Sequence, residues 1–463
     1  MIEANQIEMI VKKIMTEMAL KDEASAPAYG IFDHMEEAIE AAWAAQKELV
    51  KYSLECRGKF IAAMRAAARK NIELFSKMAV EETGMGRYEH KVMKNTVAID
   101  KTPGIEDLKP DAVSGDHGLT LFELSPYGVI GAITPTTNPT ETVICNAIGM
   151  IAAGNAVVFA PHPRAKNTSR KAIEVLNQAI IEAGGPANLI TAIKEPTIES
   201  ANIMMQHKKI KMLVATGGPD VVKTVLSSGK KAIGAGAGNP PAVVDETADI
   251  EKAAKDIIDG CSFDNNLPCV AEKEVIVVDT VADYLIFNMK KHNAYLITDE
   301  SLIQKLEKIV FNEKGHLNRD LVGKNADFIL KMIGVDCDPE VRAIILETNK
   351  DHPFVQEELM MPILPIVRVK DIDEAIELAV EVEHGYRHTA IIHSKNIDNL
   401  SKMAKEIQTT IFVKNGPSYA GIGVGGEGYS TFTIAGPTGE GLTTAKSFTR
   451  SRRCVLVDGF SIR

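Results

Sequence analysis

The sequence lacks the features that would place the protein in a membrane, on nucleic acid or around a metal. No apolar run in its 463 residues reaches the roughly 18 that a membrane-spanning helix needs, and no secretory signal begins it. Its net charge is −10, so the chain lacks the excess of Lys and Arg with which nucleic-acid-binding proteins contact phosphates. The six cysteines form no Cys-x-x-Cys pair, the spacing typical of structural zinc and redox sites. These absences favour a soluble cytoplasmic protein with reduced thiols, no metal, and neither membrane nor nucleic-acid partners.

The features that are present are a long chain and an alternation of strand and helix patterns. A chain of 463 residues is too long for one ordinary core, which predicts two or three domains. Helical periodicity runs through residues 38–51 and 57–82, and strand and helix patterns then alternate to about Asp245. Such units predict a parallel, doubly wound sheet that binds ligands at the carboxyl ends of its strands. Those ends carry residues 134–138, 161–163 and 216–218.

A second α/β alternation runs from residue 246 to 428. Beyond it, the ending Arg453–Val457 reads as a strand with no partner nearby in the sequence, and Leu119–Leu124 is similarly isolated. Open strand edges offer unpaired backbone donors and acceptors. The pattern therefore leaves two alternatives open, pairing within one chain and pairing across a subunit interface.

Residues 1–20 carry an apolar stripe at helical spacing, and residues 21–28 read as a small, polar linker. A helix of this length is not stable alone, so its stripe needs a partner. The sequence leaves open whether that partner is the body of the same protein or a different protein. A membrane surface fits less well, because the stripe has no aromatic anchor.

Cys269 is the candidate nucleophile. It ends a polar, proline-bearing loop directly before a strand, where reactive groups are commonly displayed. Cys261 competes with it, although Cys261 follows a glycine at the end of a helical stretch and could simply fill the core. A thiol with a pKa of about 8.5 is only a few per cent thiolate at neutral pH, so either cysteine would need activation.

Two other patterns are weaker. The glycine-rich run from Gly234 to Gly238 lacks the spacing of a dinucleotide fingerprint, and no helix follows it. His384 and His388 have the spacing of metal ligands on a helix, but Gly385 and Tyr386 between them favour a loop.

Several blocks taken together resemble the aldehyde dehydrogenase superfamily over nearly all of the chain beyond the linker. They are Ser125-Pro-Tyr-Gly-Val-Ile-Gly, Pro135-Thr-Thr-Asn-Pro139, Ala153-Gly-Asn-Ala-Val-Val, Thr216-Gly217, the Cys269 loop and Gln356-Glu-Glu-Leu-Met-Met-Pro362. Other blocks are most similar to the CoA-acylating propionaldehyde dehydrogenases of bacterial microcompartments. They include Glu82-Thr-Gly-Met-Gly86, Leu267-Pro-Cys269 and residues 412–427.

The resemblance implies an α/β fold of two doubly wound domains plus a small β oligomerisation arm. It implies a helix at 1–20 that directs packing into a protein shell and a linker at 21–28. An NAD-binding domain would span 29–245, with 118–126 in the arm, and a catalytic domain 246–428. Residues 429–463 would return to the cofactor domain and the arm.

Residue roles follow from the same resemblance. Cys269 would attack a short-chain aldehyde, propionaldehyde before acetaldehyde, and pass through a hemithioacetal and a thioester, with NAD and coenzyme A as cofactor and co-substrate. Asn138 would stabilise the oxyanion, and Glu358 would hold the nicotinamide ribose. The other expected cofactor contacts are Thr134, Pro135, Thr136, Pro161, His162, Pro163, Thr216, Gly217, Gly218, Gly234, Ala235 and Gly236.

The position of Gly234 bears on the second half-reaction. Hydrolytic members of the superfamily carry a general-base glutamate where this sequence has Gly234, and a glycine also leaves room there. Without a carboxylate to activate water, hydrolysis of an acyl-enzyme is slow, whereas a thiol exchanges with a thioester without a strong base. Transfer to CoA is therefore favoured.

The expected assembly is a homodimer or homotetramer in the lumen of a bacterial microcompartment, docked on shell or core proteins through residues 2–20. Three alternatives remain: a hydrolytic dehydrogenase that forms a free acid, an acetaldehyde-specific acylating enzyme, and a non-catalytic scaffold built on a retired dehydrogenase.

Overall fold

The computed structural model describes residues 29–462. The predicted helix at residues 1–20 and the linker at 21–28 lie outside them. The helices are α1 Met35–Leu49, α2 Leu54–Lys70, α3 Ile72–Thr83, α4 Tyr88–Lys101, α5 Pro139–Ala152, α6 Lys166–Glu182, α7 Ile198–Gln206, α8 Pro219–Leu226, α9 Ile250–Cys261, α10 Asp279–Lys291, α11 Glu300–Val310, α12 Ala326–Met332, α13 Pro353–Gln356, α14 Ile372–Val382 and α15 Ile397–Ile407.

The strands are β1 Ile31–Phe32, β2 Asp111–Gly115, β3 Gly118–Pro126, β4 Val129–Thr134, β5 Ala156–Pro161, β6 Ile190–Ile193, β7 Ile210–Thr216, β8 Lys231–Ala235, β9 Pro241–Val244, β10 Glu274–Val278, β11 Ala294–Ile297, β12 Ala343–Glu347, β13 Ile363–Val369, β14 Thr389–His393, β15 Ile411–Lys414, β16 Ile434–Ala435, β17 Gly441–Leu442 and β18 Thr449–Val457.

Two parallel sheets form the body of the protein, as the alternation predicts. The first has the order β1-β6-β5-β4-β7-β8, and the second β11-β12-β13-β10-β9-β14-β15. The central strands are apolar runs buried on both faces, because helices cover each sheet from two sides. Aspartates at the first residue before the helix cap α9, α11 and α14, where a side-chain oxygen accepts a free backbone N–H.

The chain passes from the first sheet to the second between Ala235 and Pro241. β8 pairs with β7 in the first sheet, whereas β9 already pairs with β10 and β14 in the second. The change of sheet thus comes a few residues before Asp245, after which the sequence analysis expects the catalytic domain to begin. The glycine-rich run lies at this crossing.

The periodicity of residues 57–82 is divided between two helices. Asn71 has φ −111° and ψ 8°, which ends α2, and α3 begins at the next residue. The apolar spacing continues across the break because both helices pack against the same core, so periodicity alone could not reveal the interruption.

The two isolated strands pair with each other. β18 and β3 form an antiparallel ladder from Thr449↔Pro126 to Val457↔Gly118, and β2 pairs with the other edge of β3. Between the sheets and this arm, residues after Gly428 contact the first sheet, since Thr433 and Thr216 share a hydrogen bond of 2.8 Å. The structure therefore shows the first of the two alternatives, in which β3 and β18 pair within one chain.

Candidate active site

The loop that carries Cys269 begins with a left-handed turn. Asp264, Asn265 and Asn266 have φ values of 50°, 55° and 67°, and all three are buried. Asp and Asn tolerate this region better than other residues with a Cβ, which explains their run at this point of the sequence. Three consecutive residues of this kind persist only where the surroundings hold them in place.

Asp264 is held by two lysines of α4. Its Oδ2 lies 2.9 Å from Lys91 Nζ and 2.7 Å from Lys94 Nζ, and all three side chains are fully buried. The backbone N–H of Arg87 donates to Oδ1 at 2.8 Å. Burial alone would raise the pKa of Asp264, but Lys91 and Lys94 together outweigh it and hold the pKa below its usual range. The turn is thus fastened to α4 through an ionised carboxylate.

The two asparagines fasten the rest of the turn. Asn265 accepts from Arg87 Nε at 2.7 Å and donates to the carbonyl of Gly323 at 2.9 Å. Asn266 donates to the carbonyls of Cys261 and Glu272, both at 2.9 Å, and accepts from Lys273 Nζ at 2.6 Å. The segment from 261 to 273 is therefore closed on itself around Asn266, and Cys269 lies inside that closed segment.

Asn138 lies directly before α5 and is linked to the same turn through Lys94. Lys94 Nζ donates to Asn138 Oδ1 at 2.6 Å while it also contacts Asp264. Because an ammonium group only donates, the amide oxygen must face the lysine, and the Asn138 NH2 group points elsewhere. Its one hydrogen bond is to Thr137 Oγ1 at 3.1 Å. Asn138 can therefore donate to an oxygen anion.

Cys269 itself is half-buried. Burial raises the pKa of its thiol to about 12, and the nearby carboxylate of Glu358 acts in the same direction. Lys273 and Lys94 oppose the shift without cancelling it. The thiol of the ligand-free protein is accordingly protonated at neutral pH, so activation must accompany the arrival of the other reactants.

His388 and the backbone of Cys269 both flank Gly238. A Cβ on Gly238 would lie 2.8 Å from the Cys269 carbonyl oxygen and 2.9 Å from His388 Cγ, so glycine alone fits between them. The imidazole is buried, and burial lowers its pKa to about 4. Nδ1 lies 2.9 Å from Thr389 Oγ1, whereas Nε2 has no hydrogen-bond partner among the described atoms. A neutral imidazole with a free nitrogen therefore stands at the site.

The sequence analysis missed His388 because it considered this residue only together with His384, as a possible pair of metal ligands. Both histidines lie in a loop, as predicted, but His384 Nε2 contacts the carbonyl of Gln356 at 3.0 Å, away from the Thr389 contact of His388. The sequence signal that was available is a histidine directly before a strand of buried β-branched residues. Burial of a polar imidazole is costly there, which makes such a histidine a candidate functional residue.

Glu358 completes the group around Cys269. It is half-buried and accepts a hydrogen bond from the Gly238 backbone. Burial raises the pKa of this carboxyl, and Lys273 lowers it. Cys269, Glu358, Gly238 and His388 all precede strands of the second sheet, and those strands, β10, β13, β9 and β14, are neighbours. The site thus lies at the amino ends of four adjacent strands.

The expected cofactor residues lie along the carboxyl edge of the first sheet. Thr134 and Pro161 are register partners at the ends of β4 and β5, and Thr216 and Ala235 at the ends of β7 and β8. Pro135 and Thr136 continue from β4, and His162 and Pro163 from β5, where His162 is exposed and its Nδ1 accepts from the Arg164 backbone. The order β5-β4-β7-β8 brings these segments together.

This edge fits a dinucleotide. The hydroxyl of Thr134 is buried without a partner among the described residues. Space beside Gly217 and Gly218 is open where a Cβ would stand, at the start of α8. An open glycine turn at a helix N-terminus suits a pyrophosphate.

The space expected at Gly234 is filled. A Cβ there would lie 2.6 Å from Val222 Cγ1 of α8, and the nearest atom to a Cβ on Gly236 is Val222 Cγ2 at 3.9 Å. Gly234 does not make room beside Cys269, because its missing side chain would point at α8. The position is closed even to alanine unless Val222 moves.

Within residues 29–462, none of the helices combines the length and the apolar character that a membrane span requires. In the same range, no three His, Cys, Asp or Glu side chains come together as metal ligands would.

The chain is similar to known proteins over nearly its whole length. A sequence model of the aldehyde dehydrogenase family matches residues 27–447. Propanal dehydrogenase (CoA-propanoylating) from Citrobacter freundii is 49% identical over 460 residues, 99% of each chain. Propionaldehyde dehydrogenase from Rhodopseudomonas palustris, solved with bound CoA and an acylated cysteine, is 61% identical with a TM-score of 0.92, covering 94% of this chain and 99% of that one. A propionaldehyde dehydrogenase from the fucose utilisation bacterial microcompartment of Clostridium phytofermentans is 56% identical with a TM-score of 0.92, covering 94% and 100%.

The raised pKa of Cys269 predicts the pH dependence of its alkylation. Only the thiolate reacts, so the rate with iodoacetamide should rise about tenfold per pH unit from pH 7 to 10 without levelling. The measurement is peptide-level mass spectrometry of the ligand-free protein, with the exposed Cys454 as an internal control for reagent and access. A plateau for Cys269 below pH 9 would contradict the burial argument.

Proposed function

This chain belongs to the aldehyde dehydrogenase family, and from that premise we propose that it oxidises propionaldehyde to propionyl-CoA with NAD and coenzyme A. It is a CoA-acylating aldehyde dehydrogenase. The observation that carries the proposal is the group around Cys269: a thiol, an amide donor held by Lys94, and a neutral imidazole with a free nitrogen.

The first half-reaction begins at the thiol. Cys269 Sγ attacks the aldehyde carbon, and the thiol proton is released to solvent. The oxygen that becomes negative accepts hydrogen bonds from Asn138 Nδ2, the donor that the family resemblance implies, and from the backbone N–H of Cys269. Such a donor is typically worth about 10²–10³ in rate. When bound, NAD would supply the hydride acceptor, so that loss of hydride from the hemithioacetal carbon would leave a thioester on Cys269.

The carboxyl edge of the first sheet and Glu358 would hold the cofactor. Thr134 offers a buried hydroxyl without a partner among the described residues, Gly217 and Gly218 offer open backbone, and the Glu358 carboxylate, which accepts from the Gly238 N–H, suits a ribose diol. Burial raises the pKa of Glu358, and Lys273 opposes that shift and favours the carboxylate form.

The second half-reaction transfers the acyl group to the thiol of CoA. The sulfur of CoA attacks the thioester carbon, the bond to Cys269 Sγ breaks, and free Cys269 is regenerated. We assign the proton of the incoming thiol to His388, because its imidazole is neutral, its Nε2 has no hydrogen-bond partner among the described residues, and it flanks Gly238 as the Cys269 backbone does. No carboxylate occupies position 234, and the closed space there keeps one out.

The assembly in which the enzyme works is also a proposal. The β arm exposes Val113, Val455, Leu456 and Val457, which supports association with further copies as a dimer or tetramer. The C. phytofermentans relative comes from a microcompartment, which supports a place in such a lumen and contacts with shell or core proteins through residues 2–20.

A steady-state assay tests the activity. NADH formation from propionaldehyde should require CoA, yield propionyl-CoA by mass spectrometry, and fall by at least about 10⁴-fold in Cys269→Ala, since the nucleophile is lost. Cys261→Ala, the other cysteine of the segment, is the matched control and should keep activity. A series of C2–C4 aldehydes tests chain length. NADH formation without CoA would indicate the hydrolytic alternative, and no NADH formation by the wild-type protein the non-catalytic scaffold.

Replacement of His388 tests its part in the transfer. Gln cannot take a proton, so His388→Gln should retain a burst of about one NADH per site but lose steady-state turnover by about 10²–10⁴-fold. His393→Gln is the matched control, because His393 is also buried with an unpartnered Nε2 but lies at the far end of β14. Equal loss of burst and turnover would show that His388 has no separate role in the second half-reaction.

Deletion of residues 2–20 tests the packing proposal. The truncated enzyme should keep its turnover in solution while its co-purification with shells drops, because the catalytic and cofactor residues named above all lie beyond residue 90. Unchanged co-purification of the truncated chain would refute the tag. A variant with charged residues at Ile7, Ile10 and Ile14 separates loss of the stripe from loss of length.

A further inference from the structure

A buried ionic group joins α4 to the two segments that meet at Cys269. It consists of Lys91, Lys94, Asp264 and Glu141, which are all fully buried, so the two positive charges face two negative ones. Buried charges are costly unless they are paired, so the burial of four charged side chains at one place calls for an explanation. Mutual neutralisation explains why it is tolerated but not why it lies at this place.

Lys94 has contacts that Lys91 lacks. Its Nζ lies 2.7 Å from Asp264 Oδ2, 3.3 Å from Glu141 Oε1 and 2.6 Å from Asn138 Oδ1. Lys91, one turn earlier on the same helix, contacts Asp264 at 2.9 Å and the carbonyl of Thr137 at 3.2 Å, but not the Asn138 side chain. The two lysines therefore share Asp264 and the carbonyl of Thr137, which Lys94 also contacts at 3.2 Å, and they differ at Glu141 and Asn138.

The contact with Asn138 fixes which end of the amide faces the substrate. An amide can turn by 180° and present either its oxygen or its NH2 group. An ammonium 2.6 Å from the oxygen permits one of the two orientations, since the other would place NH2 against NH3⁺. Asp264 and Glu141 keep this lysine charged, so the orientation does not depend on pH near neutrality.

We propose that Lys94 is a positioning residue that locks the Asn138 amide with its NH2 group toward the oxyanion and ties it to the Cys269 loop through Asp264. The inference rests on the proposed function, in which Asn138 is an oxyanion donor. One ammonium thereby sets the spacing between the donor before α5 and the nucleophile after the left-handed turn. A turned amide would present an oxygen to the developing negative charge and slow its formation.

Charge-balanced double variants test the proposal. Lys94→Met/Glu141→Gln and Lys91→Met/Glu141→Gln each remove one positive and one negative charge, and each leaves one lysine paired with Asp264. Both should lower the melting temperature. The Lys94 variant should lower kcat/KM for the aldehyde at least about tenfold further than the Lys91 variant does, because only it frees the amide.

Combination with Asn138→Ala separates positioning from general damage. Asn138→Ala alone should cost about 10²–10³ in kcat/KM. With no amide left to orient, adding Lys94→Met/Glu141→Gln should cost less than about twofold more, since coupled residues are not additive. Additive losses in the Asn138→Ala background, or equal losses for the two double variants when Asn138 is intact, would overturn the proposal.

The outcomes distinguish the two levels of inference. If Asn138→Ala keeps full activity, the oxyanion role in the proposed function is wrong; if Asn138→Ala is impaired while the Lys94 variant is not, only the positioning role is wrong. Should the double variants not fold, Lys94→Arg keeps the charge but places its donors differently. Its loss of kcat/KM must then disappear in the Asn138→Ala background, and an additive loss refutes the proposal.

Discussion

The contact between Asp264 and the two lysines of α4 is the interaction on which the catalytic arrangement depends. A turn of three consecutive left-handed residues would not persist by local preference, even with Asp and Asn in it. A charged carboxylate buried between two ammonium groups holds the first of the three, and the hydrogen bonds of Asn265 and Asn266 hold the others. The position of Cys269 follows from that turn, and the position of Asn138 from the same ammonium group.

The two sheets present opposite ends to the site. Cofactor residues follow the strands of the first sheet, at its carboxyl edge, whereas Cys269, Glu358 and His388 precede strands of the second, at its amino edge. The short crossing from Ala235 to Pro241 makes this possible, because it carries the chain directly from one edge to the other. Asn239 anchors the crossing to the carbonyls of Val355 and Val382, both at 2.9 Å. The crossing of the chain between the two sheets thus joins the edge that carries the expected cofactor residues to the edge that carries Cys269.

The sequence predicted the alternation, the parallel sheets and the carboxyl-edge segments, because buried β-branched runs and helical periodicity are local signals. It also predicted Cys269 as the candidate nucleophile, through its loop and the ordered family blocks. It could not predict Lys94, since a lysine in a helix is ordinarily a solvated residue and its burial depends on Asp264, 170 positions away in the chain. His388 was missed for a similar reason: its neighbours Gly238 and Cys269 reach it only through the register of β9, β10 and β14. The closed space at Gly234 depends on Val222, which local spacing does not reveal.

The protonated thiol of Cys269 has a consequence for the durability of the enzyme. Peroxides oxidise thiolates far more readily than thiols, and a first oxidation to sulfenic acid can proceed to irreversible products. An enzyme that spends its idle time with a thiol of pKa about 12 offers little thiolate to such oxidants. Burial therefore limits damage between turnovers, and the nucleophile becomes vulnerable chiefly while it is at work.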